Sequence, residues 1–156
     1  QKSRKRNRIT GKIKNLLLDY NGTIACDGKV IPSVKEKIEA INKKGIRVHI
    51  VTADTHGTVR NQCVNMPIEI QIFDNSNAAE NKREIVEKLG AEHCICIGNG
   101  FNDGQMFEAC NISVIVIGEE GCSAKSLMKA DIVCKNIEEA FDLILKPSRI
   151  IATLRG

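Results

Sequence analysis

A doubly wound α/β fold, one parallel sheet with helices on both faces, is the architecture this sequence predicts, and three observations carry it. Short apolar runs recur along the 156 residues, at about 13–19, 46–51, 68–73, 94–97, 112–117 and 131–134. Segments with apolar residues at helical spacing lie between them. Several of the runs stop abruptly at an acid, a hydroxyl, an amide or a glycine. Strand alternating with helix is the signature of a parallel sheet whose strands are buried on both faces.

The first buried strand is read from Leu16-Leu17-Leu18, preceded by Ile13 and ended by Asp19-Tyr20-Asn21-Gly22-Thr23. Residues 9–14 ahead of it are short and mixed, and suggest an edge strand or hairpin. Residues 21–30 carry Gly22 and an Asp27-Gly28 turn signal without helical spacing, so a loop with a small flap is expected over the strand end. Pro32 suits a first helical turn, and Val34, Ile38 and Ile41 recur at helical spacing until Gly45. The second strand, 46–51, runs into Thr52-Ala53-Asp54-Thr55, with a helix expected at 55–64 and a strand at 68–73.

Ile85, Val86 and Leu89 predict a helix over 78–89 that stops at Gly90. Strand 94–97 leads into Gly98-Asn99-Gly100-Phe101-Asn102-Asp103-Gly104, and Met106, Phe107 and Cys110 predict the helix behind it. Strands at 112–117 and 131–134, helices at 123–129 and 137–145, and a final turn or helix at 148–154 complete the chain. Residues 1–12 read as a basic arm and 13–156 as a single core domain.

Composition is that of an ordinary globular chain, with 42% hydrophobic and 27% charged residues. No apolar run approaches the roughly 18 residues of a membrane span, and no signal peptide is visible. The seven cysteines lie in or beside apolar segments without metal-ligand spacing, so they are expected as buried thiols in a reducing cytoplasm. The net charge of +4 includes Lys2, Arg4, Lys5, Arg6 and Arg8, so the basicity belongs to a tail and the remainder is nearly neutral. A basic tail can neutralise phosphates, but no aromatic residue accompanies it to stack on bases, and nucleic acid is not the expected partner.

In an open parallel sheet, ligands bind outside the carboxyl ends of the strands. Asp19, Thr52, Asn99 and Asp103 all follow strands, and Lys82 opens the helix before the 94–97 strand. Alone, Asp19 would start an Asx turn, Thr52 would cap a helix and Lys82 would be a surface lysine. Together they form a set for phosphoryl transfer, which needs a nucleophile, donors for the equatorial oxygens and a cation. Asp19 can attack phosphorus to give an acyl phosphate, Thr52 and Lys82 can hold phosphoryl oxygens, and Asp19 and Asp103 can share Mg²⁺ with a loop carbonyl. Lys88 competes with Lys82 but lies farther from the ligand edge. His49 reads as packing, and His56 and His93 have no evident partner.

These residues resemble the haloacid dehalogenase superfamily of phosphotransferases over about 13–145, through four separated motifs. Asp19-Tyr20-Asn21-Gly22-Thr23 is similar to the first, Thr52 to the second, Lys82 to the third, and Gly98-Asn99-Gly100-Phe101-Asn102-Asp103 to the fourth. The wording, with Val116-Ile117-Gly118-Glu119-Glu120-Gly121, resembles the small soluble P-type-ATPase-like members most closely. The resemblance implies a strand order of 5-4-1-2-3 with the first strand central. It implies Asp19 as phosphorylated nucleophile, phosphate binding by Asp19, Gly22, Thr52, Ala53 and Lys82, and Mg²⁺ held by Asp19, the Asn21 carbonyl, Asn99 and Asp103. Thr23, Asp54 and Asn102 are implied as supporting residues.

Two departures matter. Most phosphatases of the superfamily carry an acid at the position of Asn21, to protonate the leaving oxygen and then activate water. An amide cannot, and general acid–base help is worth about 10² to 10⁴ in rate, so slow hydrolysis is expected. Asn99 stands where an Asp commonly binds the metal, which predicts weaker Mg²⁺ affinity and a larger share for Asp103. Neither gap between motifs has room for a cap domain, which points to a bulky substrate or to a second subunit of a homo-oligomer acting as lid. The expected ligand is a phosphorylated small molecule or macromolecule, with ATP as one candidate. The competing readings are a non-enzymatic phosphate- or metal-binding module and a basic nucleic-acid tether. A dinucleotide reading of Gly98-x-Gly100 has the wrong glycine spacing, no Walker A sequence is present, and a receiver domain would not carry its acid on the first strand.

Overall fold

The computed structural model of the chain describes residues 12–53 and 57–155. Six strands form one sheet: β1 (Asn15–Leu18), β4 (Arg47–Thr52), β5 (Ile68–Ile72), β6 (Cys94–Gly98), β7 (Ile112–Val116) and β8 (Ile132–Cys134). Their order is β5-β4-β1-β6-β7-β8, and every neighbouring pair is parallel. The expected five-strand order therefore needs one correction. β8 pairs with β7 and extends that edge, so the sheet counted through its core strands runs 6-5-4-1-2-3. The first strand stays central, with β4 on one side and β6 on the other.

Side chains alternate across this sheet with the period of two that strands impose. Leu16 and Leu18 enter one core with Ile50, Ile97 and Val114, while Leu17 enters the other with Val51, Cys96 and Ile115. Helices α1 (Val34–Lys43) and α6 (Ile137–Leu145) cover the first face through Val34, Ile38, Ile41, Phe141 and Ile144. Helices α3 (Ala78–Leu89) and α4 (Gly104–Ala109) cover the second through Val86, Met106 and Phe107. Short helices α2 (Thr58–Gln62), α5 (Ala124–Leu127) and α7 (Ser148–Leu154) complete the layers. No helix among the described residues is long and apolar enough to cross a membrane.

Helix α1 stops where expected: Gly45 adopts φ +88°, and its N–H and that of Lys44 close on the last carbonyls. The flap is a hairpin of β2 (Ala25–Cys26) and β3 (Lys29–Val30), turned through Asp27 and Gly28 at φ 52° and 81°. This hairpin is all that stands between Thr23 and Ser33, so no cap domain is inserted there. The second gap, as far as it is described, holds α2, β5 and one 3₁₀ turn. Helix α2 is shorter than expected. The basic arm, the 9–11 part of the expected hairpin, Asp54 and His56 lie outside the described residues. All seven cysteines are free thiols, five of them buried.

His49 is packing, as its strand pattern suggests, and it links three strands. Nε2 lies 3.0 Å from Asn15 Oδ1 on β1, and Nδ1 lies 3.2 Å from Glu69 Oε2 on β5 without hydrogen-bond geometry. Burial pushes the imidazole pKa below its ordinary 6.5, and the exposed Glu69 carboxylate only partly opposes this. A histidine held neutral in the fold binds fewer protons than it does unfolded, so its contribution to stability is present above pH 6.5 and is lost as pH falls below it. An NMR titration is expected to place the His49 imidazole below 6.5, and the urea midpoint should fall with acidification less steeply in His49→Gln than in the parent.

Candidate active site

Strand β1 ends at Leu18, and the next residue, Asp19, is pinned by its N–H to the Ile97 carbonyl at 3.0 Å. The chain then turns back. The Tyr20 carbonyl accepts from the N–H groups of Thr23, Ile24 and Ala25, and the buried Tyr20 hydroxyl donates to Gly28 O at 2.9 Å. This turn aims the Asp19 carboxylate into a cleft of about 500 Å³ beyond the sheet's C-terminal edge. Asn21, Thr52, Ala53, Lys82, Asn99 and Asn102 share the cleft with it.

Lys82, at the start of α3, is almost wholly buried and uses all three ammonium protons. Nζ donates to Asp19 Oδ1 at 2.9 Å, Asn102 Oδ1 at 2.8 Å and Asp103 Oδ1 at 2.7 Å. Burial opposes its charge, but Asp19 and Asp103 more than offset that and hold the pKa above the ordinary lysine range. For Asp19 the balance runs the other way. Burial and then the Asp103 charge push its carboxyl up to about 7, against the pull of Lys82. Lys88 is exposed and lines a different depression beside β5, so Lys82 is the lysine at the site.

Asp103 differs from expectation. It is 0% exposed and does not line the cleft. Oδ1 faces Lys82, and Oδ2 accepts from the N–H groups of Asn99 at 3.1 Å and Gly100 at 2.9 Å. Both oxygens are thus engaged in holding the lysine and the loop. Asn99 is oriented instead toward Thr23 and Asp19. Its Nδ2 donates to Gly121 O at 3.1 Å, which turns Oδ1 toward Thr23 Oγ1 at 3.3 Å, and the same hydroxyl reaches Asp19 Oδ2 at 3.4 Å. Two oxygens from β1 and β6 therefore converge on one side of the cleft, with Asn21 beside them. All-oxygen donors of this kind suit a hard divalent cation.

Gly22 contributes space. Its N–H is taken by Ala25 O at 2.8 Å and is not aimed into the cleft. It adopts φ +80°, and a Cβ there would lie 2.7 Å from Asn99 Cγ. Three further residues escaped the sequence reading. Asn75 and Phe101 line the cleft, and buried Ser126 donates to the carbonyls of Gly100 at 2.8 Å and Phe101 at 3.2 Å. Phe101 lay inside the fourth motif without a role of its own, and Ser126 in the expected 123–129 helix, where the Ser123 hydroxyl accepts from Ser126 N. A larger groove of about 670 Å³ beside the hairpin holds Cys26, Lys29, Glu119 and Lys135 but no ready nucleophile. There a hydrogen bond to Glu119 raises the Cys26 thiol to about 11.

A family model described as haloacid dehalogenase-like hydrolase matches residues 4–111. The chain belongs to that family. An uncharacterised protein of Methanocaldococcus jannaschii is 40% identical over 78 residues, covering 47% of this chain and 84% of its own. A soluble P-type ATPase-like phosphatase of the same organism is 28% identical over 144 residues, 88% of this chain. The match spans only 53% of that relative's length. Among solved structures, 3-deoxy-D-manno-octulosonate 8-phosphate phosphatase from Moraxella catarrhalis, in complex with magnesium, phosphate and KDO, superposes with a TM-score of 0.74. The overlap covers 98% of this chain and 99% of that one at 18% identity, and so speaks for the fold.

Glycine spacing gives this site a sharp test. A Cβ on Gly98 would lie 2.5 Å from Asp103 Cγ, whereas one on Gly100 would lie 3.6 Å from Asp103 Oδ2. Gly98→Ala must displace a buried carboxylate and is expected to cost about 1–3 kcal/mol in urea unfolding. Gly100→Ala should cost clearly less.

Proposed function

We propose that the protein is a Mg²⁺-dependent phosphohydrolase working through an aspartyl phosphate on Asp19. The observation that carries this is the Asp19 carboxylate at the tip of the central strand, bound to Lys82 at 2.9 Å on the floor of an open cleft. An Asp19 oxygen attacks the phosphorus of a bound ester. The new O–P bond forms as the bond to the leaving oxygen breaks, and that oxygen departs with the electron pair. Lys82 meets the charge on the transferred oxygens, and Thr52 and the Ala53 backbone N–H hold others. Water then attacks the phosphorus and releases Asp19 and inorganic phosphate.

Asp19, Asn99 and the Asn21 carbonyl would hold the Mg²⁺, which offsets the negative charge gathered on the phosphoryl oxygens. Asp103 acts as a positioning residue, fixing Lys82 and the Asn99-Gly100 backbone. The name of the Methanocaldococcus jannaschii phosphatase relative and the magnesium and phosphate of the Moraxella catarrhalis enzyme support this reading. The Asn21 amide is too weak an acid to protonate the leaving oxygen, so good turnover is confined to leaving groups that are stable as anions. Aryl phosphates, acyl phosphates and ATP have such leaving groups, on a small molecule or on a macromolecule that fits an open cleft.

With Mg²⁺ and an aryl phosphate, Asp19→Asn is expected to abolish turnover. Equal rates in variant and parent would overturn the mechanism. A second reading, a phosphate- or metal-binding module without turnover, is favoured only by the amides at Asn21 and Asn99. Asn21→Asp separates the two. Under the proposed mechanism it should raise hydrolysis by about 10² to 10⁴, measured as steady-state phosphate release. No gain together with retained Mg²⁺ binding would establish the module.

A further inference from the structure

The cleft floor accounts for the phosphoryl group, and one side chain at its mouth is placed to meet the rest of the substrate. Phe101 lines the cleft and is 71% exposed, while Tyr20, Phe107 and Phe141 are buried. A single apolar residue in water is ordinary on a protein surface. The mounting of this one is not.

Phe101 opens the 3₁₀ turn 101–103, and its carbonyl and that of Gly100 are both held by the buried Ser126 hydroxyl. The next residue, Asn102, accepts from Lys82 Nζ at 2.8 Å. The turn that carries the ring is thus tied to the site lysine on one side and to α5 on the other. Helix α5 also carries Lys125, which does not line the cleft itself but sets its exposed ammonium over the Phe101 ring, 5.9 Å from the centroid. Among the described residues Lys125 forms no ion pair.

With the ammonium over one face, the exposed ring keeps its other face for stacking, and the pair suits a planar aromatic group that bears its own negative charge. The ring offers stacking, and the ammonium offers charge pairing. We infer that Phe101 and Lys125 form a leaving-group subsite selecting phosphate esters of anionic aromatic alcohols. This rests on the proposed phosphatase reading and deepens it. A phenol-type oxygen leaves as a resonance-stabilised anion without being protonated, so ring selection favours the substrates that a site with Asn21 in place of an acid can turn over.

Three probes with Mg²⁺ test the subsite: 4-carboxyphenyl phosphate, phenyl phosphate and acetyl phosphate. In Phe101→Ala and Phe101→Leu the ratio of kcat/KM for phenyl over acetyl phosphate is expected to fall about fivefold or more. Lys125→Met should leave that ratio alone and lower the preference for 4-carboxyphenyl over phenyl phosphate about threefold. Because Phe101 is exposed, neither substitution there threatens folding, and Leu keeps the apolar bulk while removing the π-face.

Calorimetry of 4-carboxyphenyl phosphate binding to Asp19→Asn, with and without the Phe101 and Lys125 changes, reads the subsite independently of turnover. No hydrolysis of any ester by the parent would count against the aspartyl phosphate, while the binding series would still decide the subsite. Unchanged ratios with unchanged affinities overturn the subsite, as does undetectable binding. A shift in sedimentation of the Phe101 variants with constant ratios also overturns it, assigning the ring to a contact between protein molecules.

Discussion

A desolvated ammonium between two carboxylates organises this protein. Placing Lys82 out of water costs several kcal/mol in isolation, and only complete pairing makes that tolerable. Asp19, Asn102 and Asp103 supply the pairing from the ends of β1 and the loop after β6, so one ion fixes two strand tips and the start of α3 together. The arrangement also sets the charge of the site. Two carboxylates against one ammonium leave an excess negative charge before any phosphate arrives, and a phosphate dianion would be repelled. A further cation is the electrostatic complement of this cluster, and the oxygens of Asp19 and Asn99 that converge near Thr23 lie on the side away from Lys82's own contact. Burial first, and the Asp103 charge second, drive the Asp19 carboxyl up to about 7.

The rest of the fold serves to deliver these groups to one edge. Parallel pairing of β1 with both β4 and β6 puts Asp19, Thr52 and Asn99 at neighbouring strand ends, because all three strands point the same way. Close approach then depends on missing side chains. Gly98 leaves the volume that the Asp103 carboxylate fills, and Gly22 leaves room for the Asn99 amide. These glycines matter for space at least as much as for backbone freedom, since Gly98 needs no positive φ.

The strand tips were legible because the apolar runs of β1, β4 and β6 gave way within two residues to Asp19, Thr52 and Asn99, a one-dimensional signal with a direct three-dimensional meaning. Lys82 was legible over Lys88 because the start of a helix preceding a strand faces the ligand edge. The role of Asp103 was not. Whether an acid faces a metal or stands behind a lysine depends on which way a 3₁₀ turn rotates its side chain, and spacing alone does not encode that rotation. Gly22 failed for a related reason, since its N–H closes the turn with Ala25. Phe101 read as one apolar residue among polar ones, and only the turn that lifts it from the core reveals that it lines the cleft. The sixth strand was read in the sequence, but its place at the sheet edge came from the pairing of β8 with β7.

The two amides tie these features into one chemical argument. In the proposed mechanism an acid at position 21 would speed both loss of the leaving group and attack by water, so its replacement slows the second step for every substrate. The first step is slowed only for substrates whose leaving oxygen needs a proton. Under the proposed mechanism, formation of the phosphoenzyme would depend on the leaving group while its breakdown would not. Selectivity then has to reside in whatever contacts the leaving group, and the described chain, without a cap between Thr23 and Ser33, offers for that purpose the rim of its own cleft. That makes the turn carrying Phe101 the natural seat of discrimination, since the same loop that fixes Lys82 through Asn102 and Asp103 also sets what lies above it.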